Sequence, residues 1–140
     1  MMTINDCKII ELPKFLDERG NLSFVENFKQ IPFEIKRTYW LYDVPGGESR
    51  GGHAFRENQE FVIALSGAFD VTVDDGKEKK TVTLNRSYYG LYIPAGLWRT
   101  LDNFSTNSLA LEFGSINYDR EADYVEDYNY FLKLKSNGEI

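Results

Sequence analysis

Through most of the 140-residue chain, apolar and polar side chains alternate at a period of two, and turn signals cut the alternation into short lengths. Successive side chains of a strand point to opposite faces, so this period builds sheets. It predicts strands at Cys7 to Leu12, Leu22 to Val25, Ile35 to Val44, Glu60 to Leu65 and Ala68 to Val73. Further strands are expected at Thr81 to Leu84, Leu91 to Ile93, Trp98 to Leu101 and Ser108 to Phe113. On the longest, Arg37, Tyr39, Leu41 and Asp43 share one face. Asp17 to Asn21 is a turn, and Asp74-Asp75-Gly76-Lys77 is a hairpin, because Asp-Gly tolerates the positive φ of a tight turn. Many short strands at regular spacing predict an all-β sandwich or barrel.

The tail breaks the pattern. From Arg120 to Lys133 the residues Tyr124, Val125, Tyr128, Phe131 and Leu132 recur at three and four positions, the spacing of one amphipathic helix packed on the sheet. Asp119 stands where its cap belongs. With no linker, repeat or low-complexity tract, residues 1–140 read as one domain.

Composition narrows the function. Apolar residues make up 42% and aromatic residues 15%, enough for a core. The formal charge is -6 and the longest basic run, Lys77 to Lys80, is interrupted by Glu78, so no clustered basic field exists for nucleic acid. No apolar stretch approaches the roughly 18 residues of a membrane span, and no secretory signal is evident. Cys7 is the only cysteine, which predicts a reducing, cytoplasmic setting and no internal disulfide.

Two segments carry the chemistry. In the first, Gly47 is followed by His53, Phe55, Glu60 and Gly67; in the second, Pro94-Ala95-Gly96 is followed by Arg99 and Asn103. These spacings resemble the two signature segments of cupins, small jelly-roll barrels. In metal-binding cupins the ligands are two histidines and a glutamate from the first segment and a histidine from the second. Here Phe55 stands at the second histidine and Arg99 at the last. A phenyl ring offers no lone pair and a guanidinium is a fixed cation, so a metal-free barrel without cofactor is expected. His53 is the only histidine. Imidazole can take and return a proton near neutral pH, and arginine forks can hold phosphate or enolate oxygens, a set suited to proton abstraction beside a carbonyl.

A closer likeness spans roughly Leu12 to Phe131. Asp17-Glu18-Arg19-Gly20-Asn21-Leu22, Ile35-Lys36-Arg37-Thr38-Tyr39-Trp40, Arg50-Gly51-Gly52-His53-Ala54, Gly90-Leu91-Tyr92-Ile93 with Trp98, and Tyr118 to Tyr128 resemble the dTDP-sugar 3,4-ketoisomerases, the WxcM-like cupins. The resemblance implies a cupin jelly roll with a C-terminal α-helix, no metal, and homodimers that exchange N-terminal strands. It also implies conversion of a dTDP-4-keto-6-deoxyhexose to its 3-keto isomer. Carried over, His53 and Tyr39 would be catalytic. Arg50, Arg19, Arg99 and Glu60 would bind substrate, with Glu60 also able to orient His53 or Arg99. Phe55 departs from the family's second histidine, which leaves both proton transfers to His53 or shares them with Tyr39. A 3,5-epimerase, or a cupin that binds sugar nucleotides without catalysis, is the alternative.

Overall fold

The alternation becomes twelve strands in a computed structural model that describes all 140 residues, Met1 to Ile140. A capped 3-10 turn at Ile4–Asp6 precedes β1 (Lys8–Glu11). The hairpin β2 (Phe15–Asp17) and β3 (Gly20–Leu22) follows, then β4 (Arg37–Leu41), β5 (Arg50–Phe55) and β6 (Glu60–Ser66). Next come β7 (Phe69–Asp74), β8 (Lys79–Leu84), β9 (Tyr89–Ile93), β10 (Trp98–Asp102) and β11 (Leu109–Gly114). The tail holds α1 (Arg120–Asp123), β12 (Tyr124–Val125) and α2 (Tyr128–Ser136).

Two antiparallel sheets result, in the orders β1-β9-β6-β11-β4 and β12-β5-β10-β7-β8. Their facing sides make the main core: Val62, Ala64, Leu91, Ile93 and Ala110 from one sheet meet Phe69, Val71, Val73, Leu84 and Leu101 from the other. The outer face of β6 is covered too, where Phe61 and Ile63 pack against Leu12, Ile31 and Phe33. On the second sheet Ala54 is covered by Val125, Phe131 and Leu134 of the tail. This layering is the two-sheet packing that the alternation predicts, and the jelly roll that the cupin resemblance implies.

Three expectations are corrected. The tail is not one helix from Arg120 to Lys133. Asp119 does cap α1, accepting from the Ala122 amide, but the chain then extends so that Tyr124 and Val125 pair with Phe55 and Ala54 of β5. The cause is tertiary. The buried Asp123 carboxylate accepts from the amides of Glu57 (2.7 Å) and Asn58 (3.2 Å), and the Arg56 amide donates to the Asp123 carbonyl (2.8 Å). A new helix starts only where Asp127 accepts from the Tyr130 amide. Second, Ile35 to Val44 is strand only over Arg37–Leu41, since Asp43 turns it with φ of 54°. Third, Leu22 to Val25 is replaced by the β2–β3 hairpin, which pairs with neither large sheet. The strand β5, hidden by its glycines, is an addition. No helix is long and apolar enough to cross a membrane.

Gly90 is the tightest backbone approach in the first sheet. A Cβ there would lie 2.4 Å from the Val62 carbonyl oxygen and 2.7 Å from the Phe61 ring. Overpacking of this kind costs about 1–3 kcal/mol. Gly90→Ala is therefore expected to lose about 2 kcal/mol or more in urea unfolding; an unchanged midpoint would contradict this packing.

Candidate active site

Strand register brings the site together. Arg99 on β10 lies opposite His53 on β5, and Tyr39 on β4 lies opposite Glu112 on β11. Glu60 opens β6 directly across from Gly114. Tyr39, Glu60, Glu112 and Arg99 all turn into the barrel, where the three charged groups are almost fully buried. Arg99 bridges the sheets: Nη1 donates to Glu60 Oε2 and Nη2 donates to Glu112 Oε1 at 2.6 Å. Tyr39 donates its hydroxyl hydrogen to Glu60 Oε1. Gly51, with φ of 82°, lets β5 pass within reach of this guanidinium; a Cβ there would meet Nη2 at 3.3 Å.

Arg99 Nη1 also faces His53 Nε2 at 3.4 Å. A guanidinium can only donate, so the nitrogen facing it carries the lone pair and the neutral ring holds its hydrogen on Nδ1. Burial, then the Arg99 and Arg37 cations, pull the His53 pKa down to about 3. Burial raises Glu60 against the pull of Arg99. Burial, with Glu112 and Glu60 nearby, holds the Tyr39 phenol far above its ordinary range, so it stays neutral. Burial disfavours the Arg99 cation, but Glu60 and Glu112 more than offset it and keep it charged.

His53, Tyr39, Arg99 and Arg50 line a cavity of about 450 Å³ together with Gly51 and Glu112. Its far wall is the tail: Tyr118, Arg120, Tyr124 and Glu126. Arg120 and Glu126 close that wall with a paired ion bridge at 2.6 and 2.7 Å. A second depression, along Trp40 to Pro45, shares Leu41, Ser49 and Arg50 with the first.

Sequence expectations are thus sorted by place. His53, Tyr39, Arg50 and Arg99 come together. Glu60 sits behind them, bonded to Tyr39 and Arg99 and outside the lining of the cavity. Arg19 does not join them within one chain; it is exposed on the β2–β3 turn and paired with Asp17 at 2.7 Å. Trp98 packs against Tyr128 and Phe131, and Tyr88 lies under the Lys14 ammonium, so neither faces the cavity. Asp74 is more than a turn residue: it is buried and accepts from the Tyr128 hydroxyl at 2.6 Å. Sequence reasoning missed Glu112 and Tyr124. A lone carboxylate within the apolar run Leu109 to Phe113 was the available signal for Glu112. No three histidine, cysteine or carboxylate side chains converge as a metal ligand set.

This is a jelly-roll barrel whose mouth holds one neutral imidazole among arginines. The family model described as "FdtA: WxcM-like, C-terminal" matches residues 5–136. The chain is 36% identical over 126 residues to a TDP-4-oxo-6-deoxy-alpha-D-glucose-3,4-oxoisomerase of Aneurinibacillus thermoaerophilus, covering 90% of each. It superposes on the WlaRB TDP-quinovose 3,4-ketoisomerase of Campylobacter jejuni with a TM-score of 0.88 at 40% identity, covering 93% of this chain and 99% of that one. A histidine-to-asparagine mutant of the 3,4-ketoisomerase QdtA from Thermoanaerobacterium thermosaccharolyticum, in complex with TDP-4-keto-6-deoxyglucose, gives 0.92 at 27% identity, covering 96% and 97%. The chain belongs to the WxcM-like 3,4-ketoisomerase family of cupins.

The depressed His53 pKa has a direct readout, because the chain has one histidine. Its Cε1 proton is expected to show no NMR titration between pH 8 and 5; a midpoint near 6.5 would contradict the burial described. The folded chain binds this proton less readily than the unfolded one, so its neutrality supports stability above about pH 6.5. That support is lost as pH falls toward 3. His53→Gln should flatten the acid side of the stability curve.

Proposed function

We propose that this chain is an isomerase that converts a TDP-linked 4-keto-6-deoxyhexose to its 3-keto isomer. The carrying observation is the lone His53, neutral and facing an arginine-lined cavity, on a chain whose relatives are named for this reaction. The cavity volume suits a hexose. The adjoining depression, reached past the exposed Arg50, suits the nucleotide diphosphate.

In this reading the His53 imidazole removes the proton at C3. The electron pair moves into the ring bond, and charge develops on the C4 oxygen. Arg99 supports that charge as a fixed cation that needs no reorganisation, and Glu60 and Glu112 hold it in place. The same cations that keep His53 neutral in the free protein are offset once the enediolate forms, so the imidazolium then has an anionic partner. Tyr39 hydrogen-bonds at the cavity wall while donating to Glu60. Incubation with TDP-4-keto-6-deoxyglucose in deuterium oxide, read by NMR, should give the 3-keto sugar labelled at C4. Label at C3 and C5 would instead indicate 3,5-epimerisation, and binding without exchange a non-catalytic module. His53→Asn should lower turnover by about 100-fold or more with an unchanged melting temperature.

A homodimer with exchanged N-terminal strands belongs to the same proposal. Supporting it, the β2–β3 hairpin leaves Phe15, Leu16 and Leu22 exposed and pairs with no other strand of its own chain. Arg19 sits at its tip, where an exchanged hairpin could carry it to a neighbouring mouth. Light scattering should give twice the mass of one chain, and Phe15→Asp with Leu22→Asp should shift it toward the monomer. A wild-type monomer at micromolar concentration would defeat this part.

A further inference from the structure

Position 55 cannot move a proton, yet the ketone shift needs one removed at C3 and one delivered at C4. His53 answers for the first. Tyr39 is poorly placed for the second, since its hydrogen is committed to the buried Glu60. The hydroxyls of Tyr92 and Tyr128 are likewise spent on Gln59 and Asp74.

Tyr124 is different. The strand β12 joins β5 so that Tyr124 stands directly opposite Phe55. Cross-strand neighbours of this kind touch, and here the Tyr124 ring packs edge-on against Phe55 at 4.7 Å and lies 4.8 Å from the His53 ring. It lines the same cavity as His53. Beside it lies Arg37, whose guanidinium carbon is 5.9 Å from the Tyr124 ring and 5.6 Å from Tyr118. Arg37 Nε and Nη2 are buried without an acceptor. A guanidinium donates and never accepts, so it can support the phenol oxygen while leaving the phenol hydrogen for the cavity. Burial raises this phenol, and Arg37 acts against that rise.

We propose that Tyr124 is the proton donor to C4, supplied by the strand opposite Phe55. The inference rests on the isomerase reading above. The bookkeeping of bonds closes without a further reactant. The C3–H bond breaks and His53 takes the proton; its electron pair forms the C3–C4 double bond, and the carbonyl oxygen at C4 becomes the enediolate oxygen. The O3 proton passes to O4, and the electron pair left on O3 closes the new carbonyl at C3. The double-bond pair then takes the proton of the Tyr124 hydroxyl and forms C4–H. The resulting phenolate recovers a proton from the His53 imidazolium beside it.

The test follows wild type and Tyr124→Phe by proton NMR in deuterium oxide with TDP-4-keto-6-deoxyglucose. In Tyr124→Phe, product formation should fall about 100-fold or more. The recovered substrate should still gain deuterium at C3, with an unchanged melting temperature, because His53 continues to work. Placing Phe55→His in that variant should restore at least about tenfold, since the lost group then returns on the adjacent strand. Product within about threefold of wild type overturns the proposal, as does joint loss of product and C3 exchange, which marks a binding or structural residue. Absence of rescue overturns the link to position 55. A wild type that neither isomerises nor exchanges defeats the isomerase reading itself, whereas a fully active Tyr124→Phe defeats this inference alone.

Discussion

The bridge from Arg99 to Glu60 and Glu112 is the contact on which the rest of the site depends. It joins β10 of one sheet to β6 and β11 of the other inside the barrel. Burying such charges costs several kcal/mol per ion unless their partners are well placed. Here both guanidinium arms are bonded, so the group is fixed as well as charged. A fixed cation fixes its neighbours. It holds Glu60 where Tyr39 can bond it, and it presents Nη1 to His53 Nε2.

Charge balance in this cluster divides the site into two zones. Two glutamates pair with the Arg99 guanidinium in the interior, so Arg99 is not an unpaired cation there. The exposed Arg50 lies outside that balance, on the rim shared by both depressions. On the proposed reading the anionic diphosphate is drawn to the rim, and the uncharged sugar goes inward. A cation deep in the barrel without its carboxylates would attract the diphosphate to the wrong end.

The sequence made the sheets legible because alternation survives wherever one face is buried and the other is not. It also pointed to His53 and Arg99 through two segments with regular glycine and proline spacings, and to Tyr39 and Arg50 through the family resemblance. What it hid has physical causes. β5 reads as a loop because its glycines serve close approach to Arg99 rather than strand propensity. The tail reads as one helix because Tyr124, Val125, Tyr128 and Phe131 keep helical spacing; the partners of the Asp123 anchor that breaks it, the Glu57 and Asn58 amides, are 66 and 65 residues away in the chain. Glu112 was passed over because one carboxylate in an apolar strand declares itself only when its cation is known.

Phe55 makes better sense inside this network than as a missing group. The Arg99 guanidinium carbon lies 5.5 Å from its ring, and the His53 ring packs edge-on at 4.6 Å. A second imidazole there could share a proton with His53 and raise its basicity; a phenyl ring cannot. Burial leads the depression of the His53 pKa, and the Phe55 ring packs against that imidazole. His53 therefore stays unprotonated over a wide pH range. The cost of that arrangement is a proton donor. The register of β12 on β5 sets a phenol against the Phe55 ring, so on the proposed reading the tail that departs from helical expectation is also the element that supplies the proton position 55 cannot.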